Sequence, residues 1–265
     1  MDTRVDVLGV GFDCGGIERL TAGARAILAR ARAAGTAMPY VVTPNPEIVM
    51  LARDGDAYPG LMSAVNNAAL VVPDGIGVIY GAKILAKSAN ARKLGANARE
   101  TRPPLERVPG IDFAWRLMTE DFSPERRVFL LGARAGVAAQ AGERLSAQLK
   151  GLNVVGARDG YFTDDDEVVA EINAAKPDLL LVCLGAPKQE LWVARNASRL
   201  NAGLALCLGG ALDVWAGVVP RAPKAFRRLG LEWLYRLLRE PRRIGRMMKL
   251  PLFIFAAVGQ RLSKK

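Results

Sequence analysis

Residues 178–190 read DLLLVCLGAPKQE, an apolar run that ends in a glycine turn and leads through a proline into polar residues. A short continuous apolar run bounded by Gly and Pro is typical of a strand that is buried on both faces of a parallel sheet. A proline at the start of the polar residues favours the first turn of a helix. The stretch therefore predicts a strand, a tight turn and a helix, which is the repeating unit of α/β folds.

The same unit recurs along the chain. Ala-rich amphipathic stretches, such as residues 16–34 and 136–149, alternate with further apolar segments at residues 5–10, 40–43, 70–72, 127–131, 153–155 and 204–208. Strands that alternate with helices predict a doubly wound, largely parallel, Rossmann-like sheet. In such sheets ligands bind beyond the carboxyl ends of the strands, so the residues after each apolar segment are candidates for a site.

The composition excludes several classes of catalyst. The chain of 265 residues contains no histidine, which rules out His-dependent catalytic triads, His-ligated metals and a histidine base. Its three cysteines, Cys14, Cys183 and Cys207, lie in or beside apolar segments. They are too few and too scattered for a disulfide framework or a metal-binding pair, so we expect buried free thiols.

The charge divides the chain into two parts. The formal net charge is +11, from 37 basic and 26 acidic residues. Residues 217–265 hold 13 of the basic and 2 of the acidic residues, which leaves 24 of each in residues 1–216. We therefore expect an α/β domain with the ligand site over residues 1–216, and a basic amphipathic C-terminal helical appendage over residues 217–265 that meets an anionic partner.

The appendage mixes basic residues with large apolar ones. In residues 231–239, which read LEWLYRLLR, the leucines fall on one side of a helix and the arginines towards another. The apolar run at residues 252–258 is far shorter than the roughly 20 residues that cross a bilayer. We therefore expect helices that lie on an anionic membrane surface. Packing of the appendage on the body is the alternative, whereas nucleic acid is not expected as a partner because no recognised reading motif accompanies the charge.

The beginning of the chain bears on where the protein acts. Its first five residues lead directly into a strand-like segment, without the pattern of a secretory signal. We expect a cytoplasmic protein that is peripherally associated with the inner face of the cell membrane.

Asp74 is the leading candidate for a catalytic base. It follows an apolar segment in the motif PDGIG, residues 73–77, where glycines let a ligand approach the backbone. The alternative is a turn or capping aspartate, which is common. Because histidine is absent, any general base in this chain is expected to be a carboxylate, and Asp74 is the best placed one.

Polar side chains and glycines follow other strands. Thr43 and Asn45, in the motif TPNPE, either present hydrogen-bonding groups to a ligand or begin a helix with Asn45 as its cap, and both readings stay open. Turns that contain Gly132, Gly185 and Gly210 together indicate a nucleotide-type ligand. In the turn after the apolar run at residues 178–184, Lys188 or Gln189 is expected to hydrogen-bond a phosphate or a sugar.

Two further segments carry expectations of their own. The acidic triplet at residues 164–166 follows a threonine and opens a helical run, so we interpret it as a helix cap with acidic residues in the first turn and expect no metal. Residues 83–104 are basic and interrupt the apolar rhythm, which predicts a long mobile loop or lid.

Taken together, these motifs resemble the TagA/WecG/CpsF family of bacterial glycosyltransferases. The resemblance covers nearly the whole chain, and it is carried by the following motifs: TPNPE at residues 43–47, PDGIG at 73–77, ERVPGID at 106–112, GAPKQE at 185–190, RAP at 221–223, LEWLYR at 231–236 and EPRR at 240–243. PKQE and EWLYR in this order in one chain make a specific signal.

The resemblance implies an activity and roles for single residues. It implies inverting, metal-independent transfer of N-acetylmannosamine from UDP to undecaprenyl-diphosphate-linked N-acetylglucosamine, an early step in teichoic acid or surface glycan assembly, with no cofactor. By the same resemblance Asp74 acts as base on the acceptor hydroxyl, Thr43 and Asn45 line the sugar site, and Gln189 contacts donor or acceptor. The residues that would hold diphosphate charge are Arg107, Arg236, Arg243 and Arg246.

Other functions stay open on the sequence alone. A non-catalytic nucleotide-binding protein that its basic tail recruits to a membrane or to nucleic acid is the main alternative. A nicotinamide-dependent oxidoreductase is disfavoured, because no complete GxGxxG motif follows a strand. The residues do not select among N-acetylmannosamine, its uronic acid and glucose, and a homo-oligomer is compatible with the chain.

Overall fold

Parallel strands form the central sheet of the computed structural model, which describes residues 4–34, 37–86, 103–119, 126–241 and 244–263. In these residues the sheet has six strands, in the order β4-β3-β8-β7-β5-β6, and all pairs are parallel. The strands are β3 (Tyr40–Val42), β4 (Leu70–Val71), β5 (Arg127–Gly132), β6 (Asn153–Arg158), β7 (Leu179–Cys183) and β8 (Leu204–Cys207).

Helices cover both faces of this sheet. Those of the body are α1 (Ile17–Ala34), α2 (Pro46–Arg53), α3 (Leu61–Asn66), α4 (Ile76–Ala86), α5 (Gly110–Thr119), α6 (Val137–Gln148), α7 (Asp165–Ala175), α8 (Lys188–Asn196) and α9 (Ala211–Trp215). Along β7, Leu180 and Val182 join one apolar cluster, whereas Leu179 and Leu181 join a second one on the other face. This alternation between two buried layers confirms the doubly wound, Rossmann-like α/β fold.

The apolar segment at residues 5–10 is not a strand of the main sheet, and that expectation was wrong. It forms an antiparallel hairpin of β1 (Arg4–Val7) and β2 (Val10–Asp13), which make a separate two-stranded sheet. Leu8 and Gly9 both have positive φ, at 59° and 93°. Positive φ at the two central residues is what a tight hairpin turn requires, and it reverses the chain in the middle of the apolar run.

Residues 83–86 complete helix α4, so the basic segment that was expected to be a loop begins later than predicted. Residues 87–102 lie outside the described residues, and a lid there stays a prediction. The acidic triplet caps α7 as expected, because the Asp164 carboxylate accepts a hydrogen bond from the Asp166 N–H at 2.8 Å. Asp165 Oδ2 pairs with Arg195 Nη2 at 2.9 Å.

The C-terminal appendage continues the chain in the helices α10 (Lys224–Arg228), α11 (Glu232–Arg239), α12 (Ile244–Met247) and α13 (Lys249–Ser263). Helix α13 packs on α2 and α4 of the body, with Phe253 and Ala257 fully buried. A Cβ atom at Gly81 of α4 would lie 2.6 Å from the Phe253 ring, so glycine at this position permits the close approach. One face of α13 therefore packs on the body, as the alternative interpretation of the tail expected.

The opposite face of α13 is open to solvent. Leu252, Phe255 and Leu262 are exposed on it. Within the part of the chain that the structure describes, no helix combines the length and the apolarity needed to cross a membrane. The division of the chain at residues 216 and 217 stays a prediction.

Candidate functional site

A cleft with a volume of about 900 Å³ lies at the carboxyl end of the sheet. Each of the six parallel strands contributes to its lining from the loop that follows the strand, as the strand-end rule predicts. These residues include Thr43 and Asn45 after β3, Asp74 after β4, Ala133 and Arg134 after β5, residues 160–163 after β6, Gly185 after β7, and Gly209 and Gly210 after β8. The appendage adds a second wall, with Glu232, Trp233, Arg236, Glu240, Met247 and Leu250.

Asp74 is half-buried at the lip of the sheet and lines this cleft. Burial raises the pKa of its carboxyl to about 6, against the lowering effect of a hydrogen bond from the Gly110 N–H at 3.4 Å. The Glu232 carboxylate raises this pKa further, whereas the Arg236 and Arg107 guanidinium groups lower it. Near neutral pH such a group is ionised and still binds a proton more readily than an ordinary aspartate, which suits a general base.

Thr43 and Asn45 have structural contacts as well as places in the cleft wall. The Thr43 hydroxyl donates to the Cys207 carbonyl at 2.9 Å and so joins the ends of neighbouring strands β3 and β8. The Asn45 Oδ1 atom accepts from the Ile48 N–H at 3.0 Å, which confirms that Asn45 caps α2. Contacts of both residues with a sugar stay a prediction.

Arg107 joins the body to the appendage across the cleft. Its Nη2 atom donates to the Arg227 carbonyl at 2.6 Å, and its Nη1 atom lies 3.6 Å from Glu232 Oε2. Arg236 also lines the cleft. Both guanidinium groups are therefore close enough to Asp74 to act on its charge, as their effect on its pKa indicates.

The remaining two arginines that the resemblance names are not placed by the structure. Arg243 lies outside the described residues. Arg246 belongs to helix α12, but its side chain lies outside what the structure describes. Their roles stay predictions.

The three glycine turns are not equivalent. Gly185 and Gly210 line the cleft, whereas Gly132 is buried beneath it. Gly132 has a φ of +129°, and a Cβ atom there would fall 2.3 Å from the Cys183 carbonyl oxygen. Glycine is thus explained at this position by the close approach of the ends of β5 and β7, while Ala133 and Arg134 line the cleft.

Gln189 is among the residues that line the cleft, although its side chain is almost fully buried, and its amide is held at both ends. Its Oε1 atom accepts from the Gly209 N–H at 2.9 Å, and its Nε2 atom donates to Glu190 Oε1 at 2.8 Å. Glu190 has no exposed surface, and burial raises the pKa of its carboxyl to about 7. Glu190 was not predicted as a functional residue from the sequence. The signal that could have found it is the spacing of positions 189, 192, 193 and 196, which marks one buried face of the helix; Glu190 lies beside that face.

Tyr161 is a second residue that the sequence reasoning missed. Its ring is 78% exposed and lines the cleft in the loop after β6. Lys188 supports this loop, because its Nζ atom donates to the Gly160 carbonyl at 2.8 Å and lies 4.7 Å from the Phe162 ring centre. An isolated aromatic residue in a loop gives no periodic signal, so only the fold could assign it to the cleft.

The cleft is built from the same motifs that carry the family resemblance, and the comparison with known proteins agrees. Residues 5–265 match the profile of the glycosyl transferase WecG/TagA/CpsF family. The chain belongs to this family. Five motifs of this WecG/TagA/CpsF family member contribute to the cleft lining, at residues 43–47, 73–77, 106–112, 185–190 and 231–236.

Two curated relatives show how far the similarity extends. An N-acetylglucosaminyldiphosphoundecaprenol N-acetyl-beta-D-mannosaminyltransferase of Bacillus spizizenii is 35% identical over 219 residues, which cover 83% of this chain and 78% of the relative. The protein of the same name from Staphylococcus aureus is 32% identical over 263 residues, or 99% of this chain and 95% of the relative. The similarity to the second relative therefore includes the appendage.

Proposed function

We propose that this protein is an inverting glycosyltransferase that moves N-acetylmannosamine from UDP-N-acetylmannosamine to undecaprenyl-diphosphate-linked N-acetylglucosamine. The observation that carries the proposal is one cleft with a raised-pKa carboxylate, Asp74, on the body and a guanidinium group, Arg236, on the appendage. The names of the two relatives supply the donor sugar and the acceptor. The alternative of a non-catalytic nucleotide-binding protein is not favoured by these relatives.

In the proposed reaction Asp74 removes the proton from the attacking hydroxyl of the acceptor sugar. The freed oxygen forms a bond to the anomeric carbon of the donor on the face opposite to UDP, and the bond between that carbon and the diphosphate oxygen breaks. UDP leaves with the electron pair of that bond, and the anomeric configuration inverts. The base assists the attack, and positive charge is needed where the leaving diphosphate develops negative charge.

The positive charge comes from arginine in this proposal. Guanidinium groups match phosphate oxygens with paired hydrogen bonds and stay charged at all physiological pH values. The presence of Arg107 and Arg236 in the cleft lining supports this role, and Arg243 and Arg246 would complete the set. In the described ranges no cluster of three or more Cys, Asp or Glu side chains could hold a metal ion. Metal independence stays part of the proposal.

The exposed ring of Tyr161 suits the base of the donor. Aromatic side chains stack on nucleobases, and this contact contributes roughly 1–3 kcal/mol per base. Tyr161 lies at the end of the cleft formed by the loops after β5 and β6, and Asp74 lies after β4 at the other edge of the sheet. A UDP-sugar that stacks on Tyr161 would therefore extend along the strand ends towards the base.

The function is tested by a donor screen. The purified protein is incubated with lipid-linked N-acetylglucosamine and with each UDP-sugar in turn, and the release of UDP is measured. We expect UDP release with UDP-N-acetylmannosamine only when the acceptor is present. A protein that binds UDP-sugars but releases no UDP in the presence of any lipid-linked acceptor contradicts the proposal.

The pH dependence of the rate tests the role of Asp74. Because burial raises its pKa to about 6, the base form is lost at a higher pH than for an ordinary aspartate. We expect kcat/KM to level off above that pH and to fall about tenfold per pH unit below it. The pH profile of initial rates measures this, and a rate that stays flat well below the pKa would exclude Asp74 as the base.

The open face of α13 supports membrane attachment. Leu252, Phe255 and Leu262 recur at spacings of three and seven residues, which places them on one side of a helix, away from the buried Phe253. An amphipathic helix of this kind lies in the interface with its apolar side among the acyl chains. The many basic residues of the appendage add attraction to anionic lipids.

Replacement of Phe255 tests this attachment. Phe255→Ser removes an exposed ring whose burial in lipid contributes about 1.5–3 kcal/mol, so we expect a loss of roughly tenfold or more in binding to phosphatidylglycerol vesicles. Co-sedimentation with the vesicles measures the binding. Phe255→Leu, which keeps most of the apolar area, is the matched control and should bind almost as the wild type. Equal binding by all three proteins would place the membrane contact elsewhere.

A further inference from the structure

Glu190 is buried at an energetic disadvantage directly behind the cleft wall. Its side chain has no exposed surface, and its Oε2 atom has no hydrogen-bond partner. A buried polar atom without a partner destabilises a fold. An apolar residue would avoid this penalty. We therefore expect the compensating benefit of Glu190 to come from the hydrogen bond that its other carboxylate oxygen, Oε1, accepts.

That contact orients the Gln189 amide. Gln189 Nε2 donates to Glu190 Oε1, and Gln189 Oε1 accepts from the Gly209 N–H. The reversed amide would place an NH2 group against the Gly209 N–H, and it would lose a hydrogen bond at that end. The carboxyl group and the Gly209 N–H therefore select one of the two amide orientations.

The Gln189 amide connects two parts of the cleft. The Gln189 side chain extends from the first turn of α8, which follows β7, and its amide bonds to Gly209, the second residue of the loop after the neighbouring strand β8. Gly209 and Gly210 of that loop line the cleft. A buried side chain on one helix thus fixes the backbone of a loop that faces the ligand space.

We propose that Glu190 is a positioning residue for sugar transfer, which acts through the Gln189 amide to hold the loop after β8 in place against the sugar nucleotide. The inference rests on the proposed function, because that function places the donor along this loop. Glu190 itself does not line the cleft. Its effect on the reaction passes through Gln189 and Gly209.

Two substitutions at this position separate the roles. Glu190→Leu keeps the approximate size and removes the acceptor, whereas Glu190→Gln keeps a carbonyl that can accept from Gln189 Nε2. A small misplacement of groups around a reacting centre lowers rates by as much as about 100-fold. We therefore expect kcat to fall roughly 10- to 100-fold in Glu190→Leu, and to stay within about threefold of the wild type in Glu190→Gln.

Asp178→Asn is the control, since Asp178 is a buried carboxylate that accepts from the Arg127 N–H at the opposite end of the sheet. It should alter stability and leave kcat unchanged.

The Gly209 amide resonance gives a readout that does not depend on activity. In 15N-labelled full-length protein we expect this resonance to shift in Glu190→Leu and to stay in place in Glu190→Gln and Asp178→Asn. A wild-type protein that transfers no sugar would defeat the proposed function while these shifts still test the positioning contact. If Glu190→Leu does not fold, the kcat and the Gly209 resonance of Glu190→Gln test the proposal. A large loss of kcat in Glu190→Gln with an unmoved Gly209 resonance would overturn the proposal.

A double variant tests whether the effect passes through Gln189. Residues that act in one chain of contacts do not have additive effects when both are removed. We expect Gln189→Leu combined with Glu190→Leu to lose no more activity than Gln189→Leu alone. Additive losses would show that Glu190 acts by another route, and would overturn the proposal.

Discussion

Asp74→Asn is expected to lower kcat by about 100- to 10,000-fold, the range that a positioned general base contributes. Asparagine fills nearly the same space and can still accept from the Gly110 N–H, but it cannot take the proton of the acceptor hydroxyl. UDP release at saturating donor and acceptor measures the loss. Asp56→Asn, at an exposed position outside the cleft, is the control and should leave kcat unchanged.

The same substitution is expected to stabilise the protein at neutral pH. The pKa of Asp74 is raised to about 6 in the folded state, so the folded protein holds this proton more tightly than the unfolded chain does. Its contribution to the free energy of unfolding therefore falls as the pH rises from about 4 to about 6. The gain in Asp74→Asn should reach about 3 kcal/mol above that range and vanish below it. Thermal unfolding of the wild type and of Asp74→Asn, above and below that pH range, measures the difference in stability between the two proteins. An active variant, or one that is less stable at neutral pH, would show that Asp74 is a structural residue.

Arg236→Ala is expected to lower kcat by roughly 100-fold, which is the loss when one group that stabilises developing charge is removed. Arg236 lies in the cleft wall that the appendage provides, and its charge already acts on Asp74. Arg236→Lys keeps a point charge without the paired hydrogen bonds, so its rate should fall between those of the wild type and of Arg236→Ala.

Arg239 offers a matched control one turn along the same helix. It is exposed, lies 5.6 Å from the Tyr235 ring centre, and is absent from the cleft lining. Arg239→Ala should therefore transfer sugar at the wild-type rate on a soluble acceptor analogue. Equal losses in the two alanine variants would mean that the appendage arginines act through the general charge of the surface.

Five strands of the main sheet, β3, β4, β5, β7 and β8, could be predicted because they are buried on both faces along almost their whole length and so appear as apolar runs. The hairpin was missed for a physical reason. Its turn needs positive φ at Leu8, a residue whose side chain disfavours that conformation, and the preceding valines give no sign of it. The pairing of β1 with β2 stabilises this turn, and so does the Asn66 amide, which donates to the Gly9 carbonyl at 2.8 Å. Both are contacts between segments that local patterns do not report.

The candidate site was predictable in outline and not in its internal contacts. Strand-end polarity was sufficient to place Asp74 and Asn45 at one edge of the sheet. The partners of Arg107 could not be found in this way, because Arg227 is 120 positions away in the chain. The buried contact between Gln189 and Gly209 likewise joins two strand ends that only the folded order of β7 and β8 makes adjacent.

The close packing of α4 on α13 couples the segment after Asp74 to the helix whose open face is proposed to contact lipid. Gly77 and Gly81 lie one turn apart on α4, and added Cβ atoms there would come within 2.8 Å of Leu250 and 2.6 Å of Phe253. Since α4 starts two residues after Asp74, an added methyl group between the two helices is expected to shift the segment that carries Asp74. Under the proposed function, in which Asp74 is the base and the open face of α13 meets the bilayer, the position of the carboxylate relative to the lipid surface therefore depends on two glycines.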